Sequence, residues 1–427
     1  AGGNIMFGFM FEYFMKEKKK SLSLIGVVTA SLVLLNMTLN MFYDTTLNPP
    51  LDMINSMSDF FITLFRLSII FLFMVVCVYL IVYSTNYYNK VNSKILGILK
   101  IFGFSTTQIV VFFLTQVMII LAISFVLYTI LSIILMPLLF KGIYWYLQQR
   151  YVFAHSMRTY FETIAFLFMV TLLMLFLEFR YIIQTPTTHL IKNDEIVSFH
   201  VNFKSKFVKL LYILMFMYGF YVILTGDLTI NLVVPTGLCV FGINGIIKYV
   251  IPDVINKIIQ RDNTCGEMMV VLKNYVMLIK QMKSLITLSI LVNVTIFMFI
   301  YIYYDVKGLF VEFLMIFLFA NILINYIVYQ RMRIRRLDSK YTYQKLYALG
   351  YDTKMLAKNS KKEVLLFYIT LFVSIGLYLF VFSLVAVVKH GIPVEYTTVG
   401  LVYVIPLIFS WIITNFNEGK SVRLWKK

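Results

Sequence analysis

Charge is scarce in this chain: Asp, Glu, Lys and Arg make up 14% of its 427 residues, against about 25% in soluble domains. With 60% apolar residues beside that deficit, an ordinary soluble domain is excluded. Cysteine occurs three times, at Cys77, Cys239 and Cys265, too far apart for a disulfide framework or a zinc spacing. Four scattered histidines, with no H-E-x-x-H and no G-x-S-x-G, supply no metal site and no activated nucleophile. Only eight prolines occur, which argues against the Gly/Pro-broken helices typical of ion-coupled carriers. A P-loop is missing too, because G-x-x-x-x-G-K-[ST] needs a first glycine to let successive amides wrap phosphate. The tail Gly419-Lys420-Ser421 has Thr414 in that place.

What is present is hydrocarbon in long runs. A membrane-spanning helix needs roughly 20 mostly apolar residues, and ten segments meet that length. They lie at about 21–43, 60–83, 109–140, 163–179, 207–224, 228–247, 285–304, 309–329, 364–388 and 397–416. The expected fold is therefore an all-α polytopic membrane protein. The third segment reaches Pro137 near its end and is expected to tilt or bend there. The first is read as a retained span, since "DTTLNPPLDM" after it shows no small-x-small cleavage pattern.

The formal charge of +18 is distributed as a membrane protein distributes it. With the N-terminus placed in the cytoplasm, 32 of the 38 lysines and arginines fall on the cytoplasmic side and five on the other. That asymmetry sets the orientation, with both termini cytoplasmic, and gives no ground for a nucleic-acid partner.

Two short stretches break the hydrocarbon pattern. "ILGILKIFGFSTTQI" (95–109) and "YQKLYALGYDTKML" (343–356) align Leu99, Phe102, Gly103, Phe104, Ser105 and Ile109 with Leu346, Leu349, Gly350, Tyr351, Asp352 and Leu356. Each reads as a short amphipathic helix closed by a glycine in the left-handed region. Ser105 or Asp352 then stands ready to cap the span that follows. Lys20-Ser21-Leu22 before the first span is echoed by Lys283-Ser284-Leu285 before the seventh. Spans one to four (residues 1–195) and seven to ten (271–427) are thus expected to be two parallel repeats, with two linking spans in 196–270.

Polar residues inside spans are costly and mark pairing or function. Asp59, Thr63 and Arg66 share one face of the second span and are candidates for contact with substrate or an anionic headgroup, against a plainer reading as local pairing. Asn36 with Asn40, and Asn321 with Asn325, are expected to hydrogen-bond between helices.

The four-span unit, with its basic approach, its L-x-x-x-G turn after the second helix and its exit "RYIIQTPTTHLIKN" (180–193), resembles the FtsX/MacB-type permease of bacterial ABC transporters. Ten spans in a 4+2+4 order are similar to the BceB-like permeases of antimicrobial-peptide resistance. Those carry a large external domain between spans seven and eight, where this chain has only "YDVKGL" (304–309). The resemblance implies a permease without catalytic residues, working in the bacterial cytoplasmic membrane beside two copies of a soluble ATPase that hold ATP and Mg. It implies that Leu96, Ile98, Leu99, Phe102 and Gly103, with Leu346, Tyr347, Leu349 and Gly350, dock on that ATPase. Membrane lipid surrounds such a protein, and a sensor histidine kinase is a further partner the resemblance allows. The expected function is ATP-driven export or removal of a membrane-associated substrate, such as an antimicrobial peptide or lipid-linked molecule. The alternatives are an ion-coupled carrier and an integral-membrane enzyme, but the spans hold few charges apart from Arg66 and no reactive cluster.

Overall fold

The protein is described in a computed structural model over residues 18–44, 47, 57–150, 156–184, 206–228, 230–261, 266–348 and 350–424. Every regular element among these residues is helical. Ten of the helices are long and apolar enough to cross a membrane, from Ser21–Tyr43 to Val394–Glu418. Backbone packing divides the chain into two compact units, Ala1–Val197 and Ser198–Lys427.

The first unit contains α1 (Lys18–Tyr43), α2 (Met57–Ile101), α3 (Thr106–Tyr146) and α4 (Met157–Gln184). α1 is its centre and packs on the other three. Val28, Leu32, Leu35 and Met41 are fully enclosed. Its polar residues are enclosed as well, and they find partners: Asn36 donates to Ser132 Oγ at 2.9 Å, and Asn40 to Thr159 Oγ1 at 2.9 Å. These are the expected bonds between helices, made where hydrocarbon offers no alternative partner. α3 runs through Pro137 as one continuous helix.

The second unit contains α5 (Lys206–Thr225), α6 (Val233–Gly245), α7 (Ile251–Arg261), α8 (Gly266–Gln281), α9 (Lys283–Ile302), α10 (Lys307–Ala348), α11 (Thr353–His390) and α12 (Leu401–Leu424). A π turn at Ile246–Val250 joins α6 to α7. α9 takes the central place that α1 has in the first unit, packed against α6, α10 and α11. α5 and α6 lie closest of all, because Gly242 faces Phe216 where an added Cβ would come within 2.6 Å. Asn321 and Asn325 depart from expectation: both Nδ2 groups donate to their own helix, at Phe317 O and Asn321 O, 2.9 Å each. Satisfying the amide one turn back along α10 is a local solution that needs no neighbouring helix.

Four helices are longer than a span needs, and two of them, α2 and α10, lead into the elbows. α2 has 45 residues and α10 has 42, or about 65 Å at 1.5 Å per residue, roughly twice a hydrocarbon core. By hydropathy their apolar runs end near residues 83 and 329. Beyond those points both helices run on to the two elbows.

Candidate functional site: two elbows

The first elbow is built by its backbone. Gly103 has φ +81°, Gly103 N–H donates to Lys100 O at 3.2 Å, and Phe104 N–H reaches back to Leu99 O at 3.2 Å. This pair of bonds closes the last carbonyls of α2 in a Schellman turn, which requires the left-handed residue that glycine supplies without strain. Ser105 then begins α3 with a complete capping box: Gln108 N–H donates to Ser105 Oγ at 3.3 Å, and Ser105 N–H donates to Gln108 Oε1 at 3.0 Å.

The second elbow repeats the turn 247 positions later. Gly350 has φ +95°, Gly350 N–H donates to Tyr347 O at 3.0 Å, and Tyr351 N–H donates to Leu346 O at 3.2 Å. No side chain crowds either glycine, so the backbone angle alone selects the residue. Asp352 has the extended geometry of a cap, but its side chain makes no capping bond. The reciprocal partner is missing: the position equivalent to Gln108 is Met355.

The candidate docking residues fall in different places. Leu99 is buried, with 7% of its surface exposed, and holds the first elbow in place. Ile98 and Phe102 are exposed at 49% and 75%. Ile101, which the sequence reading passed over, joins them at 66%. Ile98, Ile101 and Phe102 stand at i, i+3 and i+4, one face of a helix, beyond the apolar run that by hydropathy ends near residue 83. Contiguous hydrocarbon exposed outside a span marks an interaction surface. The helix period was the signal that could have found Ile101. In the second elbow Tyr347 is exposed and Leu346 half-buried. Leu349 lies outside the described residues, as do the side chains of Leu96 and Asp59.

Thr63 is half-buried and Arg66 is turned inward, 3% exposed. The Arg66 guanidinium donates to Phe42 O at 2.8 Å and lies 4.5 Å from the Phe42 ring centre. It therefore ties the end of α1 to α2.

Sequence reading also missed the network at the root of the second elbow. Glu363 of α11 is fully enclosed and pairs with Arg335 of α10. It also accepts from Asn274 Nδ2 of α8 at 2.7 Å and from the Tyr343 hydroxyl at 3.4 Å. Burial first, and then the charge of Glu363, push the Tyr343 phenol up from its ordinary pKa, so it stays a donor. Arg336 forms an ion pair with Glu418 of α12 at 3.2 Å rather than an aligned hydrogen bond. Glu418 also accepts from Ser360 at 2.9 Å. Four helices are thus tied together where α10 approaches its elbow.

Buried positions carry the repeat beyond the elbows. Ile109, Phe112, Phe113, Gln116, Val117, Ile120, Leu121, Ser124, Tyr128, Ser132 and Met136 are buried on α3. The residues 247 positions later on α11, from Leu356 and Asn359 to Leu379 and Ser383, are buried at every one of those places.

The fold is that of an all-α polytopic membrane protein. Residues 67–187 match the family model described as FtsX-like permease C-terminal, a stretch that contains the first elbow. That family is a transport component, not an enzyme by itself, and normally works with ABC ATPases. The matched domain and the ten apolar helices support a membrane permease of an ABC transporter. No curated protein matches the chain.

Proposed function

We propose that this chain is the permease subunit of a bacterial ABC transporter, with two four-span repeats flanking two linking spans in the manner of BceB-like permeases. A separate pair of soluble ATPase subunits binds ATP and Mg. Their closure pushes the two elbows, and the spans move in response. The substrate is a molecule already in the membrane, such as an amphipathic peptide or a lipid-linked compound, because the link between spans seven and eight leaves no room for a capture domain. Both elbows, both termini and the network around Glu363 lie on the cytoplasmic side of the cytoplasmic membrane.

One observation carries this reading: the same Schellman turn occurs twice, each time after a helix that outruns its span, and in the first copy it presents Ile98, Ile101 and Phe102 to solvent. Charge placed in that apolar face should be desolvated by the partner and unpaired there. The test purifies the wild type and the Phe102→Asp/Tyr347→Asp double variant from membranes and determines subunit stoichiometry by native mass and ATP hydrolysis. Wild type is expected to retain two ATPase subunits. The double variant should lose both while eluting as a folded particle in detergent. A wild type without an ATP-hydrolysing subunit, or a folded double variant that keeps both copies, would overturn the assignment.

A further inference from the structure

α6 runs antiparallel to α9 within the second unit: Thr236 reaches Met298 Sδ at 3.1 Å, and Thr287 reaches Asn244 Oδ1 at 3.0 Å. The π turn at Ile246–Val250 falls where the apolar run 228–247 gives out, and such turns are frequent at functional sites. One side of it is held by Tyr249, stacked on Tyr212 of α5 with ring centres 5.7 Å apart. From the same turn Lys248 reaches α9, where its ammonium donates to Thr287 Oγ1. That hydroxyl is fixed in turn by Asn244 Oδ1 and by Lys283 O at 2.8 Å. Lys248 is half-buried, a cation set in place on the wall of a groove. Lys283, one turn before Thr287 on the same face of α9, is exposed. It opens the Lys-Ser-Leu stretch at the start of that helix. Asp253, the carboxylate of α7, is already held by Lys209 at 2.7 Å and by Lys257 at 3.7 Å.

Toward the hydrocarbon, the face of α6 that carries Asn244 continues through Phe241 and Val234, exposed at 59% and 71%. Across the groove, Thr287 and Leu291 of α9 are half-buried one turn apart. Two cations at the edge of hydrocarbon, above an exposed apolar strip, match a molecule with a phosphate at one end and acyl chains at the other. Basic pockets between spans bind lipid phosphates in this way, and charge-assisted bonds to phosphate are strong ones. A zwitterionic headgroup answers less well, because its own cation opposes the lysines. We propose that the groove between α6 and α9 binds an anionic phospholipid, with Lys248 and Lys283 on its phosphate and its chains along Phe241 and Val234. That the lipid comes from the cytoplasmic leaflet rests on the permease reading, whereas the binding itself needs neither ATP nor a partner subunit.

The test measures lipid binding to the purified full chain by native mass, with phosphatidylglycerol and phosphatidylcholine of equal chain length. Phosphatidylglycerol should bind about 25-fold more tightly, about fivefold for each lysine. Lys248→Met and Lys283→Met should each remove about a fivefold share of that ratio, and the pair should abolish the preference. Lys283 is exposed, so its variant keeps the test decisive if Lys248→Met fails to fold. Lys257→Met deletes the same charge from a neighbouring residue that pairs with Asp253, and should leave the ratio within about twofold. Soluble glycerol phosphate should not displace the lipid, since it brings no chains. Equal binding of the two lipids, displacement by glycerol phosphate, or a fall in Lys257→Met as large as in Lys248→Met would overturn the inference. The Phe102→Asp/Tyr347→Asp variant should keep the full lipid preference with or without its ATPase, so the two readings fail separately.

Discussion

At the root of the first elbow a tyrosine hydrogen-bonds a glutamine, Tyr88 to Gln116 Oε1 at 2.9 Å. At the same two positions of the second elbow, 247 residues on, Arg335 faces Glu363. One architecture is therefore closed by a neutral bond in one half and by a buried ion pair in the other. The next position along differs in the same way, Asn89 against Arg336, and Arg336 takes Glu418 as its partner. The two halves share a backbone but not the energetics of their joints. A neutral bond breaks and reforms at a cost of about 1 kcal/mol, while a buried ion pair deprived of one partner strands a charge. The joint of the second elbow therefore depends on charge pairing, and that of the first does not.

The largest expected effect probes that contrast directly. Glu363→Leu should lower stability by about 3–5 kcal/mol, since Arg335 is left without its carboxylate partner. Gln116→Leu should cost about 1 kcal/mol. Thermal unfolding of both variants in one detergent measures the gap, and equal losses would remove the asymmetry. The double variant Arg335→Leu/Glu363→Leu should regain most of the loss, because hydrocarbon replaces a desolvated pair at little net cost.

Next in size are the glycines, where the halves should agree. Gly103→Val and Gly350→Val should each cost roughly 1–2 kcal/mol, the penalty of a side chain in the left-handed region. No neighbour crowds either site, so alanine should cost nearly as much as valine. A valine variant far worse than alanine would point to steric packing instead of backbone angle.

The smallest effect separates the caps. Ser105→Ala removes a formed capping box and should cost about 1 kcal/mol. Asp352→Ala removes a side chain that makes no capping bond, and its change should stay within about 0.5 kcal/mol. Amide exchange at the first turns of α3 and α11 reads both. Equal loss of protection would mean that Asp352 caps in solution.

Much of this was legible in one dimension. Span length, the two glycine turns and the 247-residue echo are local properties: hydropathy over some 20 residues, or a backbone angle only glycine adopts freely. The expected contacts of Asn36 and Asn40 came from the cost of an amide in hydrocarbon, and the same rule misled at Asn321 and Asn325, whose amides bond to the preceding turn. Ile98 and Phe102 were legible as an apolar face, but that Leu99 between them is buried was not. Which side of a surface helix is covered depends on what lies beneath it.

Arginine shows the division most plainly. By count, Arg335 and Arg336 are two more basic residues in a crowded loop, and the count sets an orientation whichever lysine or arginine supplies it. In the folded chain they are pinned to Glu363 and Glu418, 28 and 82 positions away. Sequence by itself determined that the chain makes ten apolar helices and two matching elbows, because those rest on short-range hydropathy and backbone geometry. Only the tertiary structure decided that one elbow is locked by buried charge and the other by a neutral bond. Those depend on which side chains distant helices bring together, and no local pattern encodes that distance.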